Sequence, residues 1–387
     1  MPAASALPTP DPEALAHSAT LVRRIGEEIA AQGGWIPFAR YMELALYAPG
    51  LGYYVSGSRK FGAAGDFITA PELSPLFAQC LVEAALPALA GEADILELGA
   101  GSGALAAALL AALAERGALP GRYRILEVSP ELAARQCANL ARQAPNWLNR
   151  VEWIDRLPDA MSGVVLANEV LDALPVHLVR WQAGEIFERG VIWTPEGFAW
   201  QDRPLSGGAL RHAAEALEID AGDGDYLSEI NLAAPALVRS LGERLRQGLM
   251  LCIDYGHARA EYYHPGRTGG TLMGHYRHHA LTDPFFLPGL VDLTAHVDFT
   301  AIAEAALDTG LDVLGYATQA HFLIDCGLLE RLRGVDTGAL EGARAMHAAQ
   351  RLIQPGEMGD RFKAMALGRG IEPPLPGFRR GDRRHVL

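Results

Sequence analysis

Ile95-Leu96-Glu97-Leu98-Gly99-Ala100-Gly101-Ser102-Gly103-Ala104 is the stretch that decides the fold. A short apolar run ends, three alternate glycines turn the chain, and an Ala/Leu-rich run, Ala104–Ala114, follows as a helix. Glycine is needed where the backbone must bend tightly and approach a ligand with no Cβ in the way. Strand, glycine turn and helix in this order make the nucleotide-binding corner of a doubly wound α/β sheet. Working outward, Tyr123–Val128, Val151–Ile154 and Val164–Ala167 read as further strands, with a helix over Pro130–Gln143. Such alternation implies a parallel sheet with right-handed crossovers. The pattern resumes later with a helix over Ala234–Gln247, a strand over Met250–Ile253, a helix over Phe299–Thr309 and a strand over Leu311–Tyr316. Met358–Met365 leads into a last strand.

The rest of the chain is organised around this core. Residues 1–16 are Pro/Ala-rich and read as a loose, disordered tail. Residues 17–90 read as a helical cap, with helices over Leu21–Gln32, Phe38–Tyr47 and Leu73–Leu89 and a glycine-rich aromatic loop over Gly50–Phe67. The core is expected in residues 91–175 and 226–370, split by a β-rich insertion at 176–225. Within that insertion His177–Trp181, Glu185–Val191 and Phe198–Gln201 read as antiparallel strands joined by Gly-containing turns. Asp254–Thr294 reads as a long loop, and residues 371–387 as a basic, mobile tail.

Composition narrows the function. The 387 residues carry a formal net charge of −13, which disfavours nucleic-acid binding and suits a cationic partner. Cys80, Cys137, Cys252 and Cys326 lie far apart, so free thiols of a reducing compartment are expected. The first residues resemble neither a secretory nor a transit signal, and the apolar runs are too short to span a bilayer. A cytoplasmic protein without a membrane partner is therefore expected, and a homodimer is left open.

The glycine turn alone is compatible with either a dinucleotide or a methyl donor. Glu97, two residues before Gly99, favours the donor: it would repel a pyrophosphate but attract the ammonium and sulfonium of S-adenosyl-L-methionine. Glu127, at the tip of the second strand, is placed to accept from two ribose hydroxyls. Asp155, past the third strand, could accept from the adenine amine or could cap a turn. Gly99, Gly101 and Gly103 supply the backbone around the amino-acid end.

Asn168-Glu169-Val170-Leu171-Asp172 follows the fourth strand, beside the expected position of the donor methyl. Buried carboxylates are costly without a cationic partner. Glu169, with Asp172 and Asn168, could grip a guanidinium through paired hydrogen bonds. Alternatively, Asn168 caps a helix with Glu169 in its first turn. Asp254 and Tyr255 border the same edge. His257, His264, His275, His278 and His279 match no zinc spacing, so no metal is expected and the loop reads as packing over substrate.

These blocks resemble the MidA-like methyltransferases. The resemblance is carried by Gly65-Asp66-Phe67-Ile68-Thr69-Ala70-Pro71-Glu72, the turn Glu97–Gly103, Glu127-Val128-Ser129-Pro130, Asn168-Glu169 with Asp172-Ala173-Leu174-Pro175, Asp254-Tyr255-Gly256, and Asp292-Leu293-Thr294-Ala295-His296-Val297-Asp298-Phe299. It implies a class I methyltransferase fold, S-adenosyl-L-methionine as cofactor and symmetric dimethylation of a protein arginine. In the mitochondrial members the substrate is a subunit of respiratory complex I, whose assembly they support. Gly274-His275-Tyr276-Arg277 departs from the family wording of that loop. The Gly65–Glu72 block, with Thr69 at its centre, suits a lid over the cofactor. Competing readings are a small-molecule methyltransferase, an NAD(P)-dependent oxidoreductase, and an assembly chaperone that binds the donor without turnover.

Overall fold

The computed structural model describes residues 7–56, 69–91, 93–205, 207–222, 224–333, 335–336 and 338–387. Gly65 to Ile68 of the proposed lid block lie outside the described residues. The chain divides into two compact units.

The unit of residues 68–172, 234–262 and 297–387 holds the central sheet. Its strands are β1 (Asp94–Leu98), β2 (Tyr123–Leu126), β3 (Val151–Ile154), β4 (Met161–Asn168), β5 (Leu245–His257), β6 (Asp312–Thr318) and β7 (Phe362–Arg369). They lie in the order β6-β7-β5-β4-β1-β2-β3, with only β7 antiparallel to its neighbours. The order reverses beside β1, so the tips of β1, β2 and β4 meet at the switch point where such sheets bind ligands. This is the doubly wound α/β class expected from the sequence. Val164, Val165, Leu249, Met250 and Leu251 are all at most 1 % exposed, as sheet centres require. Where β4 passes β1 the backbones are close: a Cβ on Gly163, at φ +126°, would lie 2.0 Å from the Asp94 carbonyl oxygen.

Four helices of this unit matter for the site. They are α1 (Ala70–Leu73), α2 (Pro75–Ala85), α3 (Ala104–Glu115) and α4 (Pro130–Gln143). The single helix expected over Leu73–Leu89 is broken at Ser74, whose extended backbone and side chain cap α2 by accepting from the Leu76 N–H at 3.2 Å. Helix α4 opens with Ser129 accepting from the Leu132 N–H at 3.3 Å, Pro130 at its first position and Glu131 in its first turn.

The tail after residue 370 packs onto this unit, against the expectation of mobility. The Phe378 ring packs tilted against Phe322 with centroids 5.3 Å apart, Arg379 pairs with Asp325, and the Arg383 N–H donates to the Tyr316 carbonyl at 2.6 Å. Asp325, distant in sequence, takes up the charge of Arg379, while Arg384 pairs with Asp382 of the tail itself.

The second unit comprises residues up to 67, 173–233 and 263–296. Its helix starts at Pro12, inside the expected tail, because Asp11 accepts from the Ala14 N–H at 2.8 Å and Pro12 opens the first turn. A five-stranded antiparallel sheet runs Ile36–Pro37, Glu185–Thr194, His177–Gln182, Asp225–Ile230, with Gly197–Pro204 on Glu185–Thr194. Asp225–Ile230 was expected to begin the return of the core; it pairs instead with His177–Gln182. The supposed loop also holds a sheet of His279–Leu281, Met273–Tyr276 and Asp292–Thr294. Strands of three or four residues are too short to show an alternating pattern.

Candidate active site at the strand tips

The glycine turn after β1 is conformationally demanding. Gly99, Gly101 and Gly103 have φ of +58°, +54° and +79°, a region L side chains rarely adopt. The Gly103 N–H closes the turn on the Ala100 carbonyl at 2.7 Å. Two side chains of α4, three residues apart and so on one face, hold the next carbonyls. Gln136 Nε2 donates to Gly101 O at 3.1 Å, and Asn139 Nδ2 donates to Ser102 O at 2.9 Å.

Glu127 sits just past β2, its N–H donating to the Ile154 carbonyl at 3.1 Å. Oε1 accepts from the Ser129 N–H at 2.9 Å, and Oε2 accepts from Gln136 Nε2 at 2.8 Å. An ionised carboxylate offers about four lone-pair sites and can accept from ribose hydroxyls. Glu127, Trp153, Asp155, Arg156 and Pro158 line one cleft of about 840 Å³. Asp155 is exposed at its rim. Glu97 is 3 % exposed, and the Tyr123 hydroxyl donates to it at 2.7 Å. Burial pushes its carboxyl up to about 7, against the pull of that hydrogen bond. These residues fit S-adenosyl-L-methionine: left-handed glycines at the switch point, a strand-tip carboxylate already aimed by donors, and a cleft beside it.

The tips of β4 and β5 differ. Glu169 N–H donates to the Ile253 carbonyl at 2.9 Å, and its φ is +53°. No helix forms over 168–175, so the helix-cap reading of Asn168 and a helical turn between Glu169 and Asp172 are both set aside. Asp254 replaces the helix as organiser. Its Oδ2 accepts from the N–H groups of Val170, Leu171 and Asp172 at 3.2, 2.9 and 3.3 Å, and Oδ1 from Tyr255 N–H at 3.0 Å. Asp254, expected at the pocket border, is thus the clamp of the turn that carries Glu169.

Carboxylates crowd here. Burial first, then the charge of Asp172 and to a lesser degree Glu72, raises the Glu169 carboxyl to about 8, opposed by donors from Asn168 and the Ala70 backbone. Asn168 Nδ2 donates to Glu169 Oε1 at 3.2 Å, while its buried Oδ1 has no hydrogen-bond partner. Burial, then Asp172 and Glu169, pushes Asp254 far above the usual carboxylate range. Thr69 stands as the N-cap of α1 without a side-chain capping bond, and α1 brings Ala70 and Glu72 to Glu169.

Among the described residues no group of three His, Cys, Asp or Glu side chains could hold a metal. The histidines of the 257–279 stretch make local contacts: His257 with Glu261 at 3.0 Å, and His279 Nδ1 with the Arg277 carbonyl at 2.8 Å. Gln136, Asn139 and Trp153 escaped the sequence reading. For Gln136 and Asn139 the signal was present, as polar residues three apart on the helix that follows Glu127, whereas Trp153 on β3 gave none.

Comparisons with known proteins agree with this geometry. A crystal structure of a "likely methyl transferase" from Burkholderia thailandensis bound to S-adenosyl-homocysteine superposes with a TM-score of 0.95 at 49 % identity, covering 99 % of this chain and 100 % of that one. Among curated relatives, "Protein arginine methyltransferase NDUFAF7, mitochondrial" of Danio rerio is 29 % identical over 90 % of this chain and 86 % of its own length. The Caenorhabditis elegans homologue, also named mitochondrial, is 30 % identical over 86 % of this chain and 83 % of its own. The expectation of a cytoplasmic protein is overturned by these relatives, all named mitochondrial. The family described as "Putative S-adenosyl-L-methionine-dependent methyltransferase" matches residues 76–317. That match spans more than half of the chain and includes both sets of strand tips, so the chain belongs to this family of S-adenosyl-L-methionine-dependent methyltransferases.

Proposed function

We propose that the chain methylates an arginine of a protein substrate, to the symmetric dimethyl product, and that the acceptor is a subunit of respiratory complex I. The observation that carries the reading is the gathering of acids past β4 and β5: Glu169 lies within the field of Asp172 and of Glu72 on α1, and Asp254 within that of Asp172 and Glu169. Like charges held together in a buried place are relieved by a cation, and a guanidinium is the cation whose planar fork two carboxylate oxygens match. The curated relatives' names, protein arginine methyltransferase, support the same acceptor class.

In this reading Gly99, Gly101 and Gly103 give the backbone room for the amino-acid end of the donor, with Glu97 beneath. Glu127 holds the ribose, and Asp155 meets the adenine at the cleft. Thr69 and α1 form the side of a lid over the cofactor. Bound there, S-adenosyl-L-methionine supplies an electrophilic methyl group on a sulfonium. Glu169 and Asp172 hold the guanidinium so that one nitrogen faces that methyl, Asn168 fixes the Glu169 oxygen, and Asp254 fixes the turn. Arginine is fully protonated in water and a poor nucleophile, so positioning supplies much of the acceleration. The attacking nitrogen must also shed a proton, and the Glu169 carboxylate is placed to receive it.

The test is incubation of the purified chain with donor and complex I subunits, followed by mass spectrometry of arginines. Monomethyl- and symmetric dimethylarginine are expected. Transfer confined to small molecules would replace the proposal with a metabolite methyltransferase.

A further inference from the structure

Gln136 is 0 % exposed, yet it is a carboxamide, and burying one is costly unless its donors and acceptor are satisfied. The indole N–H of Trp153 donates to Gln136 Oε1 at 2.9 Å. An indole nitrogen can only donate, so the amide oxygen must face Trp153 and the amide nitrogen must face the other way. There Nε2 meets two acceptors, Glu127 Oε2 at 2.8 Å and Gly101 O at 3.1 Å. One side chain therefore ties β3, the tip of β2 and the glycine turn together. The turn is pressed onto it as well: a Cβ on Gly103 would lie 3.4 Å from Gln136 Cα. In a planar trans peptide the N–H points opposite to the C=O. Anchoring the Gly101 carbonyl on α4 thus turns the Ser102 N–H away from the helix.

We propose that Gln136 is the positioning residue of the donor site: it aims the Glu127 carboxylate and sets the glycine turn, and it is itself oriented by Trp153 in the wall of the adjoining cleft. The inference rests on the assignment of Glu127 to the ribose. Gln136 does not touch the donor; it acts through Glu127 and Gly101.

The experiment is calorimetric titration of S-adenosylhomocysteine into the full chain and into Gln136→Met, Gln136→Glu, Glu127→Gln and the double variant Gln136→Met/Glu127→Gln. Gln136→Met keeps length and removes the amide, and its affinity should fall ~10-fold or more, the scale of a lost hydrogen bond to a charged group. Because both changes act on one carboxylate, the double variant should bind little worse than Glu127→Gln alone. Gln136→Glu adds a readout that loss of packing would not give. A glutamate there faces the Glu127 oxygen and the Gly101 carbonyl, so its affinity, relative to the parent chain, should fall as pH rises and it ionises. This pH arm also serves if Gln136→Met does not melt cooperatively. Near-parental binding by Gln136→Met beside a weakened Glu127→Gln overturns the inference alone, and so do fully additive losses. Parental binding by Glu127→Gln overturns the ribose assignment beneath it.

Discussion

The two ends of the site both gather carboxylates but differ in what surrounds them. At the tips of β1 and β2, each acid is met by a donor: Glu127 by the Ser129 N–H and Gln136, Glu97 by the Tyr123 hydroxyl. At the tips of β4 and β5, burial first and then neighbouring acids raise Glu169 and Asp254, against the hydrogen bonds they accept. Glu127 at the first end is aimed by donors and suits a neutral diol, while Glu97 in the proposed reading faces the charged amino-acid end of the donor. At the second end, donors from Asn168 and Ala70 do not offset burial and the like charge of Asp172 and Glu72 on Glu169. In the proposed reading, the carboxylate aimed by hydrogen bonds takes the ribose and the crowded ones take the cation.

Three measurements break or sharpen this contrast. The largest effect is expected at the crowded end. Glu169→Gln should lower single-turnover transfer to a protein arginine by ~10²-fold or more, the scale of a lost transition-state electrostatic contact. Calorimetric affinity for S-adenosylhomocysteine should stay near the parental value. If donor affinity fell with transfer, Glu169 would belong to the other end and the contrast would collapse.

At the satisfied end, Glu127→Ala should weaken donor binding by about 1.5–3 kcal/mol, the worth of hydrogen bonds to a charged group. Acceptor affinity should change little, because Glu127 and Glu169 lie past the tips of different strands. Equal losses for donor and acceptor would mean that the ends are coupled.

The third effect is about tenfold per pH unit. Glu169 stands near pH 8 in the folded chain against an ordinary value of 4.5. Gripping a guanidinium requires its ionised form, so kcat/KM for the acceptor should climb with pH and level off above about 8. The Glu169→Gln variant should lack that climb. The folded chain holds a proton here that the unfolded chain has lost between pH 4.5 and about 8, so this group's contribution to stability falls as pH rises through that window. Melting temperature and activity should therefore move in opposite directions with pH. A parental profile flat from pH 6 to 9 would show that a cation or another donor already compensates Glu169.

The central sheet was legible because its signals are local. A Gly-x-Gly-x-Gly turn, Ser129-Pro130 at a helix start and a continuous apolar β4 can each be read from a few neighbouring residues. Glu127 and Glu169 were legible for the same reason: each is the first acid past an apolar strand. What stayed hidden depends on long-range pairing. Asp254 lies 82–84 residues from the N–H groups it clamps, and Gln136 lies 35 from the carbonyl it holds. Asp225–Ile230 could be assigned only through its partner His177–Gln182, since a polar-tinged strand declares its sheet by register and not by composition.

Glu169 occupies a left-handed backbone at φ +53°, and it is not a glycine or an asparagine. Such a conformation costs a residue with a Cβ about 1–3 kcal/mol, and burial of the acid adds to that cost. An asparagine would sit there more comfortably and carry no charge to desolvate. Selection of random variants for thermal endurance alone should therefore erode this position early and return sturdier proteins that no longer transfer methyl groups. In the proposed reading, an acid in so uncomfortable a place is a compromise in which endurance yields to chemistry.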